Sequence, residues 1–335
     1  TAKVCRDVGF DVGRVITGKE LSQLGPTEFA KTIQEFDVFA HLTPDQKESI
    51  IKGLRSAGHV VGFMGVGIND AAAMKAADVG ISVDTAVDVA KESADIILLE
   101  KNLLVLEDGI IEGRRTFNNI LKYIKMGASS NFGNMFSVVG ASFLLPFLPM
   151  QPVQILLNNL LYDVSQTGIP LDNVDAEFSK KPQAWDIKLI QKFMVFIGPM
   201  SSIFDYATFA LMWWFFGCSA YLTDHSPYWM RLFNTGWFVE SLLTQTLIVH
   251  IIRTNRIPFF QSAASVPMTM MTLLVMFVGV ILPYTPVAGA LGMVPLPASF
   301  WAFLVLFLVS YAILTHIVKM GFHRRYGLGI AGGNA

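Results

Sequence analysis

The sequence is short of charge. Lys, Arg, Asp and Glu make up 15% of its 335 residues, where an ordinary soluble domain carries about 25%. Acids and bases nearly cancel, leaving a formal net charge of −1, so the strongly basic surface that a nucleic-acid partner requires is excluded. Cysteine is almost absent: Cys5 and Cys218 are the two in the chain. We expect no disulfide between them, and the surroundings of Cys5 read as cytosolic. No basic stretch followed by an apolar core opens the chain, so no signal peptide is expected, and a start at Thr1 suggests a cut from something longer. The Gly-rich end from Gly329 to Ala335 reads as a flexible tail.

What is present is apolar and uneven. Hydrophobic residues make up 53% of the chain. Residues 1–125 hold most of the charges, whereas residues 126–320 are nearly all apolar, with charges in short clusters. We therefore expect a soluble domain over 1–125, a membrane domain over 126–320 and a short tail over 321–335. In the first part, short β-branched runs alternate with helix-like stretches. Strands are expected at Val12–Ile16, Val38–Ala40, His59–Met64, Val79–Val83 and Ile96–Leu98. Helical segments are expected at Gly18–Leu21, Pro44–Ser56, Asp70–Ala77 and Thr85–Ser93. That alternation predicts an α/β fold with a parallel sheet covered by helices on both faces. At Thr43-Pro44-Asp45, threonine suits the cap, proline the first helical position and aspartate the helix dipole.

Six apolar stretches follow, near 126–146, 152–171, 193–217, 234–252, 266–287 and 298–318, each long enough at roughly 20 residues to cross a bilayer. Basic residues collect on alternate connections. Lys122 and Lys125 precede the first stretch, and Lys180, Lys181, Lys188 and Lys192 separate the second from the third. Arg253 and Arg256 separate the fourth from the fifth, and Lys319, His323, Arg324 and Arg325 follow the sixth. The other connections carry only Arg231. The positive-inside rule then predicts an all-α bundle of three hairpins with both ends cytoplasmic.

The residues Phe63-Met64-Gly65-Val66-Gly67-Ile68-Asn69-Asp70 end a strand-like run in a Gly-x-Gly turn followed by an amide and a carboxylate. Such a turn can present backbone N–H groups and carboxylates to a metal-bound phosphoryl group. The residue between the glycines, Val66, supplies no oxygen.

The first two apolar stretches contain polar residues at depths where these are costly. Asn131 and Asn134 are three apart and Asn159 and Asp163 four apart, so each pair shares a helix face. Neither stretch contains Lys or Arg, so a bound cation is a natural partner for Asp163. Its oxygens suit Mg²⁺, Ca²⁺ or a proton relay better than a soft metal. The plainer reading is hydrogen bonding to neighbouring helices. Glu240 is a weaker ligand candidate near the outer end of its stretch; Asp205 and His250 read as satisfied in the bundle or near an interface. Trp213, Trp214 and Trp237 read as interface belts.

Thr43-Pro44-Asp45-Gln46-Lys47, then Gly65-Val66-Gly67-Ile68-Asn69-Asp70, then six apolar stretches with amides and an Asp in the first two form an ordered set. The set resembles the C-terminal half of P-type cation-transporting ATPases, and the stretches around Asn131, Asp163 and Glu240 resemble the bacterial magnesium-transporting members. The resemblance implies a haloacid-dehalogenase-like phosphorylation domain over 1–125, followed by the last six membrane helices. It implies ATP-driven Mg²⁺ import at the bacterial inner membrane, with Mg²⁺ both catalytic and transported. Lys47, Asn69 and Asp70 match catalytic positions, and Gly65, Gly67 and Lys47 the phosphate-contacting ones. Asp70 matches a position near the catalytic metal, and Asn131, Asn134, Asn159 and Asp163 the transported-ion site. Val66 falls on the family's Mg²⁺-binding carboxylate, and Ala72 replaces a usual proline. The phosphorylated Asp-Lys-Thr-Gly motif, the ATP-binding domain and the first four membrane helices have no counterpart in these residues, so this chain alone is expected to be inactive. The resemblance implies a coupling lever over Gly109 through Lys125, although Arg114, Arg115, Lys122 and Lys125 equally suit an anchor to anionic lipid.

Overall fold

The computed structural model describes residues 13–100, 102–180 and 185–327. Cys5, Val12, Lys181 and the tail from Gly329 lie outside them. By its contacts the chain divides into two compact units, Thr1–Gly109 and Ile110–Ala335.

The first unit alternates strand and helix. β1 (Val15–Thr17) leads into α1 (Gly18–Leu21) and α2 (Pro26–Glu35), then β2 (Val38–Ala40) and α3 (Pro44–Ser56). After β3 (Gly62–Met64) a 3₁₀ turn (Ile68–Asp70) opens α4 (Ala71–Ala76), followed by β4 (Val79–Val83), α5 (Asp88–Ser93) and β5 (Ile96–Leu98). All pairings are parallel, but the expected single sheet is two: β1 with β2, and β3-β4-β5. Three strands, Val38–Ala40, Val79–Val83 and Ile96–Leu98, have the expected bounds, whereas β1 is shifted and β3 is shorter than expected. His59, Val60 and Val61 fall outside β3, and α5 starts at Asp88 rather than Thr85. Val60 is 80% exposed, and the Val61 N–H turns to the Asp78 carboxylate at 2.9 Å, so β-branching alone did not make a strand there. The sequence reading missed α2, whose proline start and buried Ile33 serve a small core with Ile16, Leu21 and Ile50.

The start of α3 follows its sequence closely. Thr43 Oγ1 accepts the Gln46 N–H at 3.3 Å, and Gln46 Oε1 accepts the Thr43 N–H at 2.9 Å. This reciprocal cap satisfies two otherwise orphaned donors, and Pro44 occupies the position where no N–H is needed. It fixes the helix that carries Lys47.

The second unit is helical. α6 (Leu103–Leu144) runs without a break through residue 125, and α7 (Pro152–Gln166) follows. Next come α8 (Ala176–Lys180), α9 (Ile187–Ala210, continued by a π turn over Leu211–Phe215), α10 (Tyr221–Asp224), α11 (Pro227–Ile252), α12 (Val266–Ile281) and α13 (Ala298–Tyr326). Among the described residues four helices are long and apolar enough to cross a membrane: Ile187–Phe215, Pro227–Ile252, Val266–Tyr284 and Ala298–Tyr326. The first two expected spans are not among them. α7 has 15 residues, and the second half of α6 is diluted by glycine, serine and asparagine.

α11 is central, packed by α7, α9, α12 and α13, and nearly every side chain from Leu232 to Ile252 is buried. Phe209, Phe233 and Trp237 interlock in its upper core, and Phe193, Ile197, Ile248 and Tyr311 fill a second cluster. α6 meets α9 closely at Gly133, where a Cβ would lie 2.6 Å from the Gly198 carbonyl oxygen. Ser202 Oγ donates to the Gly133 carbonyl at 3.0 Å across that crossing, the small-residue packing that suits helices in an apolar medium.

Candidate functional site

In the first unit β3 delivers the Gly65–Asp70 turn beside α3. Lys47 Nζ donates to Asp70 Oδ1 at 2.7 Å. Asp70 Oδ2 accepts the N–H groups of Val66 at 3.2 Å and Gly67 at 3.1 Å. Ser82 Oγ holds the Gly65 carbonyl at 2.8 Å, and the Gly65 N–H reaches the Ile81 carbonyl at 3.0 Å. A Cβ on Gly65 would collide with the Asp70 side chain, so glycine is required for the carboxylate to fold back over its own turn. Partial burial acts to raise the Asp70 pKa. The Lys47 hydrogen bond, then the Gly67 and Val66 N–H groups, outweigh it and hold the carboxyl below its usual range.

The structure thus brings Lys47, Gly65, Gly67 and Asp70 together. Asn69 is exposed on the same turn, and Val66 is 52% exposed. As arranged, one carboxylate is shared by an ammonium and two amides, and the outward side chain of the turn is apolar. Among the described residues no cluster of three or more His, Cys, Asp or Glu is placed to hold a metal ion. On this turn the Val66 side chain offers no oxygen, and Asp70 is engaged by Lys47 and by the N–H groups of Val66 and Gly67.

In the second unit Asn131 is exposed and Asn134 half-buried on α6, and Asn159 and Asp163 are exposed on α7. Each pair shares a face, and among the described residues no hydrogen bond joins the α6 pair to the α7 pair. Apolar Leu156 and Leu160 share the α7 face, 70% and 57% exposed. Asp163 also lines a cavity of about 370 Å³ with Asn119, Tyr123 and Gln166. The buried asparagine of α7 is Asn158, whose Nδ2 donates to the Phe238 carbonyl at 3.4 Å while Oδ1 has no partner.

Three sequence readings change. Glu240 is not near an outer, wetted end; it is 0% exposed. Trp237 is a core residue, 2% exposed, with Nε1 donating to Asp205 Oδ1 at 2.7 Å. Lys122 does not belong to an open basic face, because it is buried against Asp172. Asp205 and His250 are satisfied as expected. Ser137 donates to Asp205 Oδ2 at 2.6 Å, and His250 Nε2 meets Thr272 Oγ1 at 2.8 Å.

The sequence reading missed a charge cluster in the loop after α7. Asp172, 1% exposed, pairs with Lys122 Nζ and Arg253 Nε, both at 2.8 Å, and accepts the Ser265 N–H at 3.0 Å. Asp175 accepts from Thr254 Oγ1 at 2.7 Å and Ser262 Oγ at 2.8 Å. Lys319 Nζ, buried, caps the end of α11 by donating to the carbonyls of Ile251 at 2.7 Å and Thr254 at 2.8 Å. Burial acts to raise the Asp172 pKa, and Lys122 and Arg253 more than offset it. The available signal was two acids, Asp172 and Asp175, between stretches flanked by Lys122 and Arg253.

Residues 147–321 match the family described as "Cation transporting ATPase, C-terminus". The chain is similar to the Magnesium-transporting ATPase, P-type 1 of Escherichia coli (strain K12), 57% identical over 97% of this chain and 36% of that protein. The protein of the same name from Salmonella typhimurium (strain LT2) is likewise 57% identical over 97% of this chain and 36% of its own length. A Calcium-transporting ATPase of Bacillus subtilis (strain 168) is 34% identical over 50% of this chain and 19% of its own length. The chain thus spans 36% of the length of the magnesium-transporting relatives it matches.

Proposed function

The chain belongs to the cation transporting ATPases, and from that premise we propose that it is the C-terminal portion of a bacterial P-type pump that imports Mg²⁺ using ATP. The reading is carried by the Lys47–Asp70 pair folded over the Gly65-Val66-Gly67 turn. In this reading 1–125 is part of a haloacid-dehalogenase-like phosphorylation domain, and six helices form the membrane part with both ends cytoplasmic. The nucleotide site, the phosphorylated Asp and four more helices belong to the remaining length of the pump. Lys47 neutralises phosphoryl oxygens, Asn69 and Asp70 order the turn beside them, and Gly65 and Gly67 let the backbone approach. Asn131, Asn134, Asn159 and Asp163 supply oxygens to the transported ion, and three of them, all but Asn134, are exposed.

Val66 favours a second reading in which the chain is a non-catalytic membrane protein. Phosphoryl transfer depends on charge neutralisation by a metal held in place, and Val66 holds none. One experiment tests the role given to Val66. The chain is joined to the N-terminal part of a magnesium-transporting relative and phosphorylation from labelled ATP is measured. We expect little phosphoenzyme with Val66 and a large gain with Val66→Asp. Equal phosphoenzyme in both forms would overturn the role given to this turn.

A further inference from the structure

Glu240 lies at 0% exposure in the middle of α11, and neither of its carboxyl oxygens meets a hydrogen-bond donor. The acid that interacts with it is Asp205 of α9, 1% exposed and held through Oδ1 by Trp237, three residues before Glu240 on α11, while the hydroxyl of Thr244, one turn on, is turned to the backbone carbonyls of Glu240 and Ser241. Asp205 Oδ2 already accepts Ser137 Oγ of α6 at 2.6 Å, and Oδ1 accepts Trp237 Nε1 of α11 at 2.7 Å. From α13 Tyr311, 1% exposed, is in electrostatic reach of both acids, and Tyr162 of α7 is in reach of Tyr311. The cations that pair with buried acid in this unit, Lys122 and Arg253, are engaged with Asp172 instead.

Two ionised carboxylates in this setting have no compensation. Each buried charge costs several kcal/mol to desolvate, like charges raise that cost, and two carboxylates cannot hydrogen-bond to each other because both only accept. One proton removes all three difficulties. Glu240 becomes the donor, and an Asp205 oxygen receives it on a lone pair left after Ser137 and Trp237. The remaining negative charge then sits on Asp205, where two protein donors already point. We propose that Asp205 and Glu240 form a proton-binding site in the core of the second unit, with the proton on Glu240.

A metal ion fits these groups less well. A hard cation needs several oxygens turned toward it, but here Ser137 and Trp237 turn hydrogens toward Asp205, and among the described residues no cluster of three or more acidic, His or Cys ligands forms. The site is distinct from Asn131, Asn134, Asn159 and Asp163, of which three are exposed. It rests on the helical bundle and not on the pump reading. Enclosed by α6, α9 and α11, the proton can exchange only when those helices part, which gives the bundle a group whose charge follows its packing.

The test is infrared spectroscopy of the full 335-residue chain in lipid nanodiscs at neutral pH. A protonated carboxylic acid gives a C=O stretch apart from the carboxylate bands. We expect such a band in the unmodified chain, its displacement when glutamate alone carries carbon-13, and its loss in Glu240→Gln. Asp205→Asn changes the acceptor and must move the band, while Glu177→Gln, at an exposed ion pair, must leave it unchanged. The labelling arm needs no substitution, so a variant that fails to fold does not leave the question open. Absence of the band, a band insensitive to glutamate labelling, or a band that survives Glu240→Gln would each overturn the assignment.

Discussion

In the loop after α7, Asp172 is met by Lys122, Arg253 and the Ser265 N–H; inside the bundle, Glu240 is met by no donor at all. Both carboxyl groups are buried to 1% or less. The difference is one of composition along the chain. Lys122 and Arg253 flank apolar stretches where their charged heads can converge on a loop, whereas Glu240 lies too deep for such a residue to reach from a helix end. The same burial therefore gives an ion-pair cluster in one place and an acid in need of a proton in the other.

The largest effect that follows is on Asp172→Ala. It leaves the Lys122 and Arg253 charges buried without their acid, and we expect a loss of about 3–5 kcal/mol, read from the denaturant midpoint of the chain in mixed micelles. A loss under about 1 kcal/mol would mean that solvent or lipid replaces Asp172. Lys319→Met comes next. It strips two buried carbonyls of their donor, at about 1–3 kcal/mol, and hydrogen exchange should rise at the end of α11 rather than throughout it.

Acid separates the two carboxyl groups in another way. The folded-state pKa of Asp172 lies below its unfolded value of about 3.9. Its contribution is therefore fully present above about pH 4 and is lost as the pH falls through the lower folded value. Stability measured downward from pH 5 should drop more steeply in the unmodified chain than in Asp172→Asn, and parallel curves would refute the pairing energy. The smallest effect is expected for Glu240→Gln. An amide keeps the donor and removes no compensated charge, so stability should stay within about 1 kcal/mol. A loss as large as that of Asp172→Ala would show that an ionised Glu240 had been holding something.

Much of the first unit was legible because its signals are local. The cap at Thr43 and the turn at Gly65 depend on residues three to five apart, and both form as the sequence suggests. The division into two sheets was not legible. It depends on which strands find each other across α3, and strands of three residues carry too few side chains to specify a partner. In the second unit apolar length located the helices from α9 onward, but not the inward or outward aspect of their polar residues. Trp237 looked like an interface residue and is core, and Asn158 is buried where its neighbour Asn159 is exposed.

The sequence by itself determined the strand–helix alternation of the first unit, the apolar character of the second and the presence of a glycine turn with Lys47 upstream, because these follow from residue type and short spacing. Tertiary structure alone decided that Lys47 reaches Asp70 across 23 positions, that Asp172 gathers Lys122 and Arg253, and that Glu240 is buried with Trp237 holding Asp205. The physical reason is that the energy of a charge depends on its distance to other charges and to water. Packing sets both, and residue spacing along the chain does not.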